Sequence, residues 1–230
     1  MWVLGDLFHD PVSAIKRAKK DASLTGPLLL MAFGAVLLYI AMVVPSIKTG
    51  VSSQQFINSF WSTLVLFITV LAYGFLVKVP FEIITDKKQN SLAYTMSANA
   101  MWFSLFAIGL LVLSIFGLVG SYIDKPPPPR FLGYASSYDE PIEHKIYQVI
   151  SGIGLFIFLW FLMRGLSIAT RALKELFDTD YLTVLLISGI TAMITGIILY
   201  IMMFAMFAAM LALMGAGGGL GGGGLGGRGF

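Results

Sequence analysis

Five apolar stretches divide the chain: Leu24–Val44, Phe60–Val77, Asn99–Ser121, Val149–Met163 and Leu182–Met214. None contains a charged residue or a histidine. Each is at or near the ~17–25 residues that carry a helix across a bilayer core, so the pattern predicts five spans. The last stretch has 33 residues. As a helix it would reach about 50 Å, well beyond a ~30 Å hydrocarbon core, so it must tilt, bend at Gly196 or protrude.

Two segments outside the spans are amphipathic. Residues 1–23 place Leu4, Leu7, Phe8, Val12 and Ile15 near helical spacing, with Lys16, Arg17, Lys19 and Lys20 mostly opposite. Leu166, Ala169, Leu173, Leu176 and Phe177 form a similar face after the fourth span, with Arg171 and Lys174 elsewhere and Ser167 placed to cap its start. Both are expected to lie in the membrane interface with their cations toward lipid phosphates. The fold class is therefore all-α: a polytopic transmembrane bundle of five spans with two short interfacial helices. A lead over 1–23 precedes the membrane domain at 24–214, and a flexible glycine-rich tail over 215–230 follows it. Within that domain, the loop at 122–148 carries Lys125-Pro-Pro-Pro-Pro-Arg130, which reads as a stiff polyproline spacer.

Composition supports the membrane assignment: 57% of residues are hydrophobic, 12% are charged, and mean hydropathy is +0.86. A net charge of +3 gives no reason to expect nucleic-acid binding. The cations instead report topology. Lys16, Arg17, Lys19, Lys20, Lys78, Lys87, Lys88, Arg164, Arg171 and Lys174 fall on one side of a five-span layout. Lys48, Lys125, Arg130, Lys145 and Arg228 fall on the other. This twofold excess predicts a cytoplasmic N-terminus and an outside C-terminus.

The inventory leaves little room for in-membrane chemistry. Intramembrane ionisable residues usually mark proton relays, ion paths and catalysis, and the spans have none. His9 and His144 lie outside them on predicted opposite faces, so no histidine base stands near a span serine. Glu143-His144 reads as a solvated loop feature, one imidazole without partner ligands. The chain has no cysteine, which removes thiolate metal sites, disulfides and cysteine catalysis. No enzyme activity, cofactor or metal is expected. Candidate contacts are structural instead. Ser188, Ala192 and Gly196 recur at every fourth position, and Gly117 and Ser121 make a shorter pair. Such small residues allow close helix approach, within the chain or to a protein partner or second copy through the fifth span. Lys16, Arg17, Lys19, Lys20, Arg171 and Lys174 are the candidate contacts to anionic lipid.

The layout resembles the Yip (Ypt/Rab-interacting protein) family of five-span membrane proteins. Asp6-Leu7-Phe8 followed by Pro11 is similar to the Asp-Leu-Tyr-Gly-Pro element before that family's first span, with His9-Asp10 standing in for a single glycine. Asn90–Met96, around Tyr94, resembles the family's Gly-Tyr element, with Ala93 at the glycine. Trp160 through Gly165-Leu166-Ser167 and Ala172 resembles the fourth-span ending of prokaryotic members. The resemblance implies a non-enzymatic, prokaryotic-type membrane protein of the plasma membrane, acting through helix and lipid contacts as a membrane-organising or accessory subunit. The alternative is a transporter or permease subunit for a neutral or lipid-like solute.

Overall fold

A computed structural model describes residues 23–86, 92–124 and 142–218, with side chains as far as Ile201 and at Phe204. Among the described residues, six α-helices follow in order: α1 (Thr25–Val43), α2 (Ser53–Leu76), α3 (Lys78–Thr85), α4 (Leu92–Ile123), α5 (Ile142–Phe177) and α6 (Tyr181–Gly218). A single 3-10 turn, Val44–Ser46, closes α1. There is no strand among the described residues. Five helical segments are long and apolar enough to cross a membrane, as the sequence pattern predicts. The protein is an integral membrane bundle. Its lead at 1–22, the proline run and residues 219–230 lie outside the described residues.

The bundle has two ends. At the base, α2 turns into α3 and α5 turns into α6. The rim carries the 3-10 turn, the end of α4 and the start of α5. Local chemistry sets several of these boundaries. Ser52 caps α2 through a capping box, its hydroxyl accepting from Gln55 N at 3.2 Å while Ser52 N donates to Gln55 Oε1 at 3.0 Å. α2 breaks at Val77 because Pro80, three residues on, has no N–H to donate to the Leu76 carbonyl and its ring crowds that oxygen. The break turns α3 so that Phe81 is fully buried and stacks on Phe177 of α5, with ring centroids 4.6 Å apart. This short helix was not expected from the apolar pattern.

α4 is the central helix. Every residue from Ala93 to Met101 is buried, so its base half is enclosed on all sides. α1 lies against it: Ser104 Oγ donates to Leu30 O at 3.0 Å. α2 is tied by Asn99, whose Nδ2 donates to Val70 O at 2.5 Å. The sequence pattern puts Asn99 at the edge of a span. It stands instead about two turns inside a 32-residue helix that begins at Leu92.

The second amphipathic segment is corrected by the structure. It is not a separate interfacial helix but the last third of α5, a single 36-residue helix about 54 Å long. Ser167 sits mid-helix and caps nothing. The buried face is Gly165, Ile168, Ala172, Leu173, Leu176 and Phe177, while Leu166 is exposed. That face meets protein rather than lipid, because α3 and the base of α4 cover it. α6 likewise runs unbroken through Gly196 over about 57 Å and ends at Gly218, so residues 215–218, expected to begin the flexible tail, continue the helix instead.

Candidate functional site

α4 and α5 pack along a seam of glycines and aromatics that alternate between the two helices. A side chain begun at Gly109 would meet Phe161 Cβ at 2.9 Å. One at Gly120 would meet the Tyr147 ring at 2.7 Å. From the other side, Gly154 faces Phe116 Cβ at 2.7 Å, and Gly165 faces Trp102 at 3.1 Å. Each ring fills the space that a glycine on the opposite helix leaves. Both glycine pairs, Gly109 with Gly120 and Gly154 with Gly165, are spaced by about three helical turns, which keeps each pair on one face.

α6 is held differently. Its buried residues Val184, Ile187, Thr191 and Thr195 form one narrow stripe. Thr191 and Thr195 satisfy their own hydroxyls on the carbonyls of Ile187 and Thr191, at 2.8 and 2.7 Å. This stripe packs on α2 and α5, and α6 stands away from α4. The gap is a cavity of about 440 Å³ between α2, α4, α5 and α6. That lies within the ~300–1,000 Å³ typical of small-molecule sites.

The cavity wall is apolar, with Leu66, Val70, Val77, Leu173 and Leu185 among its residues. Four hydroxyls in it are already committed to backbone carbonyls of their own helices: Thr69 to Val65 O, Thr95 to Leu92 O, Thr170 to Leu166 O and Thr195 to Thr191 O. Tyr73, Asn99, Trp102 and Ser188 supply the remaining polar groups. Trp102 Nε1 and Ser188 Oγ are buried and have no hydrogen-bond partner. Ser188 faces the Tyr73 phenol without reaching hydrogen-bond geometry. Asn99 lies one turn from Trp102 on the same face of α4. Its Nδ2 is used by Val70 O, which leaves Oδ1 without a donor among the described residues. Among the described residues, no Asp, Glu, Lys, Arg or His lines the cavity.

Ser188, Ala192 and Gly196 all line the cavity. A side chain begun at Gly196, or at neighbouring Gly189, would meet nothing within 4 Å. These small residues hold space open rather than drawing helices together. Gly117 also meets nothing, and the close approach on that part of α4 belongs to Gly120. Ser121 donates to Leu118 O at 2.7 Å, and its own carbonyl accepts from Lys48 Nζ. Arg171 is exposed, and Lys174 lies 4.1 Å over the Tyr181 ring. Lys16, Arg17, Lys19 and Lys20 lie outside the described residues. Trp102 and Asn99 carry no signal in the apolar pattern, because only packing places them at the cavity.

Two polar features stand at the ends of the bundle. His144 Nδ1 is 3.0 Å from Asp124 Oδ1, so this imidazole has a partner across the α4–α5 connection rather than standing alone in solvent. At the base, Asp180 caps α6, its Oδ2 accepting from Leu182 N at 3.1 Å and Thr183 N at 3.2 Å. Hydrogen bonds from the Thr183 hydroxyl and backbone hold its carboxyl below the usual aspartate range. No cluster of His, Cys, Asp or Glu fit to hold a metal ion occurs among the described residues. No family model, curated protein or solved structure matches the chain.

Proposed function

We propose that this integral membrane protein binds a neutral, lipid-like molecule between α2, α4, α5 and α6, and performs no chemistry on it. The supporting observation is the cavity itself, whose wall is largely apolar and carries no charged side chain among the described residues. A charged ligand would lose its hydration there without compensation. An apolar molecule drawn from the bilayer would not. The reading fits a binding protein or permease subunit for a lipid-like solute. The test is lipid mass spectrometry on the protein purified in mild detergent. A bound neutral species present at near-stoichiometric level in the wild type and lost in Gly189→Leu/Gly196→Leu supports the reading. Equal lipid content in both proteins refutes it.

A second reading rests on α6. Beyond Thr195 its side chains turn outward, with Ile197, Ile198, Tyr200, Ile201 and Phe204 exposed. A helix of about 57 Å outruns a ~30 Å core, and its surplus suits a protein partner. In that role the protein is an accessory or membrane-organising subunit of the prokaryotic Yip-like type suggested by its sequence, in the cell membrane with the base cytoplasmic. A companion chain recovered by in-membrane crosslinking from Tyr200 supports it. Crosslinks to lipid alone count against it.

A further inference from the structure

The outward face of α5 changes character at one level. Phe156, Trp160 and Met163 are exposed there and apolar, the surface that a lipid-bathed helix presents. One turn after Trp160 the same face becomes cationic. Arg164, Ser167 and Arg171 are all exposed, at helical spacings of three and four. A tryptophan followed by arginines is the order met on passing from hydrocarbon to lipid headgroups. The opposite face of this segment, with Gly165, Ile168 and Ala172, is buried against protein. The stripe from Phe156 to Arg171 is therefore the side of α5 that a ligand from outside the bundle can reach.

Its cations are uncompensated. Among the described residues, neither guanidinium has an ion pair or a hydrogen bond, and the Ser167 hydroxyl has no partner. Glu175, one turn beyond Arg171, has an interaction of its own. The other described cations at the base are engaged. Lys78 reaches Glu82 at 3.5 Å, and Lys174, expected from the sequence to meet lipid, lies over the Tyr181 ring instead. Arginine beside hydrocarbon is costly without a counter-charge. Its planar fork of donors matches phosphate oxygens, and a hydroxyl between two such forks adds a further donor. A free phosphate would satisfy Arg164, Ser167 and Arg171 but leave Phe156, Trp160 and Met163 bare. A phospholipid covers both parts of the stripe. A zwitterionic headgroup brings its own cation to this cationic surface and gains less than a net-negative one.

We infer that Arg164, Ser167 and Arg171 hold the phosphate of a net-anionic phospholipid, whose chains lie along Met163, Trp160 and Phe156. The site is on the outside of α5, away from the cavity, and it stands whether or not the cavity is occupied.

The test is native mass spectrometry of the full chain released from nanodiscs that hold dimyristoyl-phosphatidylglycerol and dimyristoyl-phosphatidylcholine in equal amounts. The expected result is retention of phosphatidylglycerol over phosphatidylcholine by about tenfold in the wild type. Arg164→Gln and Arg171→Gln should each lower that preference about threefold, and the double variant should bring it to parity. Melting temperature should not change, because neither side chain holds the fold together. Arg164→Lys/Arg171→Lys keeps the charge but not the fork, and should fall between wild type and the glutamine pair. Lys174→Gln should leave the preference intact. Parity in the wild type overturns the inference, and so does a preference that survives the double glutamine variant. A loss in Lys174→Gln as large as in the arginine pair also overturns it, by moving the site off this face. Displacement of phosphatidylglycerol by millimolar inorganic phosphate, beyond that caused by chloride at equal ionic strength, reveals a site for the free ion and overturns the lipid assignment. Lipid content that changes in Gly189→Leu/Gly196→Leu with the phosphatidylglycerol preference unaltered keeps this site distinct from the cavity. A preference abolished by those cavity substitutions overturns its placement on α5.

Discussion

Glycine has opposite uses on the two sides of α4. Along α5 the glycines are where the backbones come closest, each receiving a ring from the facing helix. Along α6 they are where the backbones stay apart, and their missing side chains become empty volume. The residue is the same and so is its helical setting. What differs is the neighbour: Phe116 and Tyr147 stand against Gly154 and Gly120, while nothing stands against Gly189 or Gly196. A stripe of small residues on a membrane helix is therefore ambiguous until its facing surface is known. It permits close contact but does not require it.

Lengthening both kinds of glycine should separate these two uses most strongly. Gly154→Leu should prevent stable assembly, because even its first carbon would sit 2.7 Å from Phe116 Cβ. Gly196→Leu should fold and fill the cavity. Thermal unfolding in detergent or nanodiscs reads the difference, and similar losses in both would end the distinction. Smaller and more telling is alanine at the same sites. Gly154→Ala should destabilise by ~1–3 kcal/mol through overpacking. Gly196→Ala should stabilise, by up to ~1 kcal/mol, because alanine is the better helix former and space is available. One substitution would then have opposite signs on the two faces. Next in size, Asn99→Leu should cost ~0.6–1.7 kcal/mol, the range measured for hydrogen bonds between membrane helices, by releasing α2 from α4.

The smallest effect concerns how α6 is tethered at the base. The Asp180 carboxyl is held low by Thr183. A lowered folded-state pKa contributes stability above the unfolded value and loses it as pH falls through the folded one. Acid should thus loosen the start of α6, on the low side of the ordinary aspartate range. Hydrogen exchange at Leu182 and Thr183 should rise there in the wild type. In Asp180→Asn the protection should no longer vary with pH across that range. A pH response that survives the substitution would place the titrating group elsewhere.

Much of the fold was legible because a bilayer admits few solutions. Charge-free apolar runs near bilayer length locate the five spans directly. Their ends were less legible. Asn99 and Ser97 look like boundary residues by polarity, yet Ser97 donates to Ala93 O at 2.6 Å and Asn99 to Val70 O, so both fit inside a helix. The last third of α5 looked interfacial because amphipathicity records a two-sided environment without naming either side. In that segment Ile168, Ala172 and Leu176 face protein. The seam glycines carried a signal that was available, a three-turn spacing on two neighbouring spans with aromatics between. The cavity carried none. It exists only because α6 packs on α2 and α5 and stands away from α4, an arrangement no local pattern records.

The break at Pro80 has a consequence for the order of assembly. By turning α3 under the bundle it pairs Phe81 with Phe177, residues separated by about a hundred positions in the chain. During synthesis, Phe81 is made while the helix that will cover it is still to come. The base cannot close until the end of α5 has been made and the ring of Phe177 arrives. Until then the nascent protein presents an unburied phenylalanine at this end. The stack of Phe81 on Phe177 is thus a late, long-range step.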